Sequence, residues 1–261
     1  MTNIVVLVKQ VPDTYSERKL SGADNTLDRE SADAVLDEIN EKAVEEALKI
    51  KEAGEGEVTV VSVGPDRATD AIRKALSMGA DKAIHVSDEA LHGSDAIATA
   101  KVLAAAIGKV EGYDLVITGN EASDGRGGAV PAIIAELLGL PQLTHVNELT
   151  VDGNSIKADR YTEDGVTHLE ASLPAVVSVG EKINEPRYPS FKGIMAAKKK
   201  PVETLTVADL GLDAGEVGLG NAWSSVLEAS PKPPRTAGER VEDEGDGGSK
   251  VAAYLVAQKL I

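Results

Sequence analysis

The ten residues at 119–128, GNEASDGRGG, carry groups suited to holding an anion. Gly125, Gly127 and Gly128 let the backbone approach a phosphate closely, and Arg126 adds a fixed positive charge. A helix expected to begin near Ala129 and Val130 would point free N–H groups and the positive end of its dipole at the same spot. The loop is not a GxxxxGK[ST] phosphate loop, nor is it a GxGxxG after the first strand. As a bare pattern it therefore reads equally as a ligand cradle or as a turn. Two smaller signals accompany it. The turn Val63-Gly64-Pro65 reads either as an ordinary structural strand ending or as backbone placed against an adenine or ribose. Asp37, Glu38, Ile39 and Asn40 stand before a helix, where they serve either to hydrogen-bond a nucleoside or to cap the helix.

No catalytic side-chain set appears beside these. His85, His92, His145 and His168 are far apart and lack metal-ligand spacing, and no GxSxG occurs. The chain has no cysteine, which removes disulfides, thiolate metal sites, cysteine-ligated clusters and a cysteine nucleophile together. What is left is binding, or electron transfer through a bound cofactor that the protein positions.

The elements that must position these groups alternate. Apolar runs at 4–8, 58–63, 83–86 and 115–118 read as buried strands. Between and after them lie helical patterns. Residues 41–53 place Glu45 and Lys49 for an i,i+4 pair, and Asp66 stands as a cap for a helix carrying Ile72, Ala75 and Leu76. Residues 94–107 and the stretch with Val130, Ile133, Ile134 and Leu137 complete the set. Repeated strand–helix units imply a mostly parallel sheet with helices on both faces, and ligands then bind beyond the carboxyl ends of the strands. The segments 9–15, 63–65 and 119–128 all fall at that edge. From 149 to 171 short alternating segments are separated by Asp152-Gly153 and Asp164-Gly165, which predicts antiparallel hairpins extending the sheet. Residues 173–179, LPAVVSV, read as a further buried strand. Beyond 201 the chain turns Gly-, Asp- and Pro-rich, residues 239–248 read as a mobile acidic stretch, and residues 250–261 carry a final apolar helical stripe. An arm of this kind packs either on its own domain or on another chain.

Composition narrows the function further. The 261 residues are 42% hydrophobic, enough for one large domain or one with an appendage. A formal net charge of -16 and a 3% aromatic content argue against general nucleic-acid binding. No apolar run approaches the ~20 residues that span a bilayer, and the opening MTNIVVLVKQ has no basic leader, so a cytoplasmic location is expected. Against this acidic background the segment 184–200, NEPRYPSFKGIMAAKKK, stands out: it is basic, partly apolar, and holds the single phenylalanine, Phe191. Pro186 and Pro189 predict an extended or turned start. Its Phe and Met read either as core filling or as an apolar tip for a partner.

Taken together, VKQVPD (8–13), AVEEALKIKE (43–52), VSVGP (61–65), IRKALSMGADKAIHV (72–86), DLVITG…ASDG (114–125), LLGLPQ (137–142), LPAVVSV and NEPRYPSFKGIMAAKKKP resemble the beta subunit of electron transfer flavoprotein, collinearly over residues 3–201, with RTAG (235–238) matching the tail. The resemblance implies a doubly wound, mostly parallel α/β sheet of the adenine-nucleotide-binding, Rossmann-like kind over 1–201, with an antiparallel extension. It also implies an extended C-terminal arm, 202–261, packing on an alpha subunit. That subunit would hold most of the FAD, and this one a structural AMP. Electrons would come from acyl-CoA and other dehydrogenases and leave to a membrane quinone oxidoreductase, with no catalytic residue in this chain. Carried over, the AMP contacts fall on Leu7, on Asp37, Glu38, Ile39 and Asn40, on Val63, and on Gly119, Asn120, Glu121, Ala122, Ser123, Asp124, Gly125, Arg126, Gly127, Gly128, Ala129 and Val130. Pro189, Phe191, Ile194 and Met195 fall in the partner-docking loop, Phe191 where relatives commonly have Leu. Relatives commonly have Asn at the position of Asp37 and side-chain donors in the phosphate part of the loop, where this chain has Gly127-Gly128-Ala129-Val130. An acidic residue near the flavin in some relatives aligns with Tyr161. Bifurcating relatives replace AMP with a second FAD; the typical length here favours AMP. A nucleotide-binding module like the universal stress proteins shares the fold type but lacks the 184–200 segment and the tail.

Overall fold

A computed structural model describes residues 2–235, 237–238 and 240–261. Thr236, within the tail match, and Glu239, at the head of the acidic stretch, lie outside the described residues. In chain order the elements are β1 (Ile4–Leu7), β2 (Gln10–Pro12), β3 (Ala34–Leu36), α1 (Glu38–Ala53), β4 (Val58–Val63), α2 (Thr69–Met78), β5 (Lys82–Val86), α3 (Ala96–Ile107), β6 (Leu115–Gly119) and α4 (Val130–Leu138). They continue with β7 (Gln142–Val146), β8 (Glu148–Asp152), β9 (Ser155–Thr162), β10 (Gly165–Ser172), β11 (Ala175–Val179), α5 (Phe191–Ala197), β12 (Val202–Leu205) and α6 (Gly247–Ala257). Met1–Leu227 and Glu228–Ile261 are separate compact units, the second carrying α6.

Seven parallel strands form the main sheet in the order β12-β5-β4-β1-β6-β11-β7. The period of two in the strands splits the core between the faces. Ile4 and Val6 pack with Val44, Leu48, Ile72 and Leu76 of α1 and α2. Val5 and Leu7 pack with Val102, Leu103 and Ile134 of α3 and α4. The chain winds outward from β1 through β4 to β5, then returns to lay β6 on the other side of β1. The gap between the carboxyl ends of β1 and β6 is thus the topological switch point, where open α/β sheets hold ligands.

Several local readings are refined by the structure. The antiparallel strands are present, but β10-β9-β8 form a sheet of their own. It is fastened to the main sheet where Asn147 N donates to Asp159 O at 2.7 Å and Arg160 Nε donates to Thr144 O at 2.6 Å. Asp66 does not cap α2: the N-cap is Ala68, and Asp66 accepts instead from Ser87 Oγ at 2.7 Å. Lys49 pairs with Glu46 at i,i+3 rather than with Glu45. The ribbon β2–β3 and the strand β12 were not foreseen, because three or four residues are too few to establish a period.

Glu45 is instead committed to residues 184–187. Its buried carboxylate takes Arg187 Nε at 2.8 Å and Nη2 at 3.1 Å, while Glu52 takes Nη2 at 2.9 Å. The hydrogen bond to Glu52, followed by that to Glu45, raises the guanidinium further above its usual range, and Arg187 holds Glu52 below the usual carboxylate range. Asn184 Nδ2 donates to Lys42 O at 3.0 Å and Glu46 Oε2 at 2.9 Å, and Lys42 Nζ returns a bond to Asn184 O at 2.7 Å. The first half of the basic segment is therefore pinned to α1. Replacing Arg187 with Ala strands the Glu45 carboxylate, and the expected loss is about 1–3 kcal/mol by chemical denaturation.

Candidate functional site at the sheet switch point

Asp37 organises the edge. It is fully buried and is the N-cap of α1, where Oδ1 accepts from Ile39 N at 3.0 Å and Asn40 N at 3.1 Å. Its other oxygen accepts from Ser123 N at 2.8 Å. One carboxylate thus satisfies two orphan donors of α1 and fastens the middle of the 119–128 loop to the helix end. Asn40, one turn into α1, accepts from Lys9 N at 2.7 Å through Oδ1. Its Nδ2 lies so near Gly119 that a Cβ there would sit 2.5 Å away, and Asn40 would have to shift to admit any other residue at the end of β6. Ile39 packs on the same glycine, whereas Glu38 is exposed.

The second lock is Asp124, whose side chain is 2% exposed. Lys9 Nζ reaches Oδ1 at 2.8 Å and Arg29 Nη2 reaches Oδ2 at 3.4 Å, while Gly125 N also donates to Oδ1 at 2.7 Å. Burial pushes this carboxyl upward, but the Lys9 charge and hydrogen bond, with Arg29 behind them, outweigh it and hold the group below its ordinary value of 3.8. Arg18 Nη1 adds a bond to Ser123 O at 2.5 Å. Lys9, Arg18 and Arg29 are the residues sequence reading left unassigned. Only Lys9 carried a signal, through its place in VKQVPD after the first strand.

The far half of the loop is open. Arg126 and Gly128 have φ of 49° and 62°, which turns the chain into α4. A Cβ on Gly125 or Gly127 would meet nothing within 4 Å, so these glycines face space rather than a packed neighbour. The N-cap of α4, Ala129, provides no side-chain hydrogen bond. No side chain caps this end among the described residues, and Arg126, whose N donates to Ala122 O at 2.9 Å, makes no side-chain hydrogen bond or ion pair among them. Asn120 joins the loop to β11 through N to Val179 O at 2.9 Å and bonds His145 through Nδ2 at 3.1 Å. Its Oδ1 is buried with no partner. Leu7 closes β1 below this edge, Val63 ends β4 on the other side of β1, and Val130 packs into the core beneath α4. The predicted residues thus converge on one edge, but the side chains of Asp37, Asn40 and Asp124 are spent on internal bonds. The remaining histidines stay apart: His85 is buried against Gly64 O at 3.1 Å, His92 pairs with Asp24 and His168 with Asp159. Tyr161 donates to Glu148, which pushes its phenol upward.

The segment at 184–200 is not core filling. Ser190 caps α5, and Phe191, Ile194 and Met195 are 81%, 46% and 48% exposed, with Pro189 half-buried beside them. Lys200, last of the basic segment, is half-buried and bonds Leu76 O at 3.0 Å and Ala80 O, and burial pushes its ammonium downward.

A doubly wound parallel sheet with an uncapped helix end at its switch point is the Rossmann-like class of α/β protein. The model of the electron transfer flavoprotein domain matches residues 24–210. The chain is 65% identical to the electron transfer flavoprotein subunit beta of Mycobacterium tuberculosis (strain H37Rv) and to that of Mycobacterium leprae, over 100% of both chains in each case. It is 36% identical to the caffeyl-CoA reductase-Etf complex subunit CarD of Acetobacterium woodii, over 98% of this chain and 97% of that one. The chain belongs to the electron transfer flavoprotein beta-subunit family. No helix among the described residues is long and apolar enough to cross a membrane.

The two locks generate two expectations. In Asp37→Asn the amide must offer its oxygen either to α1 or to Ser123, leaving at least one donor unmatched; the expected cost is about 1–3 kcal/mol by thermal or chemical unfolding. Because the folded Asp124 carboxyl lies below 3.8, its contribution is present above that pH and is lost as pH falls through the folded value. Asp124→Asn is expected to lower stability at pH 7 and to flatten the acid limb below about pH 4, measured as denaturation midpoints against pH.

Proposed function

We propose that this chain is the AMP-holding, partner-docking subunit of a heterodimeric electron transfer flavoprotein. In this reading FAD lies mainly on an alpha subunit and supplies one-electron redox chemistry when bound. Electrons arrive from acyl-CoA and other dehydrogenases and leave to a membrane quinone oxidoreductase. This chain contributes no catalytic group.

The observation that carries the nucleotide half is the pre-built loop with an uncapped α4 behind it. The phosphate would sit on N–H groups near Gly127, Gly128, Ala129 and Val130 with Arg126 alongside, in place of side-chain donors. Asn120 Oδ1 is an acceptor awaiting a donor, such as an amino or hydroxyl group of the nucleoside. Asp37 and Asn40 act by holding the loop and the end of β6, rather than by touching the nucleotide with their side chains. The residues present therefore fit an adenine nucleotide. AMP, with one phosphate for one helix end, fits better than a dinucleotide.

The docking half rests on α5, whose Phe191, Ile194 and Met195 form an exposed apolar knob in an acidic chain. In the second unit α6 carries Val251, Tyr254 and Val256, all more than half exposed, as a face for the alpha subunit. Co-expression with an alpha subunit, followed by release and identification of bound small molecules, tests the reading. One FAD and one AMP per heterodimer is the expected result. A colourless complex without AMP would sink it, and two FAD would convert it to the bifurcating type.

A further inference from the structure

The apolar knob does not stand alone. Between α5 and α2 runs an open groove of about 540 Å³, lined by Arg73, Lys74, Ser77, Pro189, Ile194 and Lys198, with Ala197 at its base. Its exposed lining is apolar and its rim is basic. Two reciprocal contacts fix its width. Arg73, on α2, donates from Nη1 to Ala197 O at 2.7 Å and Lys200 O at 2.8 Å, at the end of α5. Lys200, just beyond α5, donates to Leu76 O and Ala80 O at the end of α2. Each helix thus has one of its orphan carbonyls, Ala197 O or Leu76 O, satisfied by a cation on or just beyond the other. Between these clamps the helices touch through Gly193, where a Cβ would lie 2.4 Å from the backbone oxygen of Ser77. Only glycine permits that approach, and no flexible atom is available to yield.

We propose that this groove is the receiving half of the docking surface: it accepts an apolar side chain borne on an acidic segment of the electron-donating dehydrogenase, while Phe191 enters the partner. The inference rests on the reading of α5 as a docking element. Two features select this occupant. The groove is continuous with the knob, sharing Ile194 and Pro189, so one partner surface covers both. Its rim is cationic in a chain of net charge -16: Lys198 lies at the groove with Lys192 and Lys199 near it, all three exposed and without an ion pair among the described residues. A second copy of this acidic chain is a poor fit, and an acidic partner segment a good one. The clamps matter because an element already rigid in its bound shape loses little conformational entropy on docking. Arg73, Lys200 and Gly193 are positioning residues in this scheme.

The test uses the flavin-loaded heterodimer and an acyl-CoA dehydrogenase from the same organism, reading the KM for the flavoprotein and kcat separately. Ser77→Met, which fills the groove, is expected to raise KM about tenfold, equivalent to about 1.4 kcal/mol, with flavin content unchanged. Lys198→Glu is expected to raise KM several-fold and weaken its dependence on salt. Gly193→Ala, which forces α5 from α2, is expected to raise KM as well. Phe191→Ala serves as the reference. If it raises KM while folded Ser77→Met and Lys198→Glu do not, the groove proposal is overturned and the docking reading stands. If Phe191→Ala itself leaves KM unchanged, the docking reading fails. Should Ser77→Met lose its circular-dichroism signature of folding, Lys198→Glu decides: an unchanged KM rejects the groove.

Discussion

Much of the candidate site depends on a single buried carboxylate. Asp37 is removed from water and survives as an acceptor because three backbone N–H groups converge on it. Two of them belong to the helix that follows β3, the third to a loop 86 residues further along. The bond therefore joins the outgoing half of the sheet to the returning half at the one place where they separate. With Asn40 wedged against Gly119 and Asp124 drawn in by Lys9, the loop after β6 is a framed structure before any guest arrives. An edge built this way spends its side chains on shape and leaves backbone open beside them.

That division explains which parts of the molecule were legible in the sequence. The strands β1, β4, β5, β6 and β11 were, since runs of four or five consecutive buried residues such as those of β4 mark a strand covered on both faces, whereas the edge strands β7 and β12 were not. The loop 119–128 was visible as a type of element, because its glycines and position after a strand have a local meaning. Its fastening was not. Arg29 and Arg18 reach it from a stretch without periodicity, and nothing in the spacing of Asp124 shows that it will be buried rather than solvated. Glu45 illustrates the same limit: helical spacing offered it Lys49, but a guanidinium 142 residues away, delivered by the fold, has the better geometry.

The segment at 184–200 was recognised by composition, and its internal division of labour came only from the structure. Asn184 and Arg187 hold it to α1, Lys200 and Gly193 hold it to α2, and the residues between are left to face outward. Exposure of Phe191 is thus a result of anchoring on both sides. A free loop carrying the same residues would fold its apolar groups back onto the domain.

The placement of α2 carries a mechanical consequence. Its ten residues form a strut about 15 Å long, starting shortly after the Gly64-Pro65 turn at the end of β4 and ending against α5. One end abuts the edge where a nucleotide would rest, and the other braces the helix that faces outward. The first end follows a proline and a glycine whose Cβ, if present, would lie 3.2 Å from that of Ala68, and the second is held by crossed cationic caps. The strut thus ties the turn that closes β4 to the helix that faces outward, so that the position of α5 is set from the sheet edge as well as from its own neighbours.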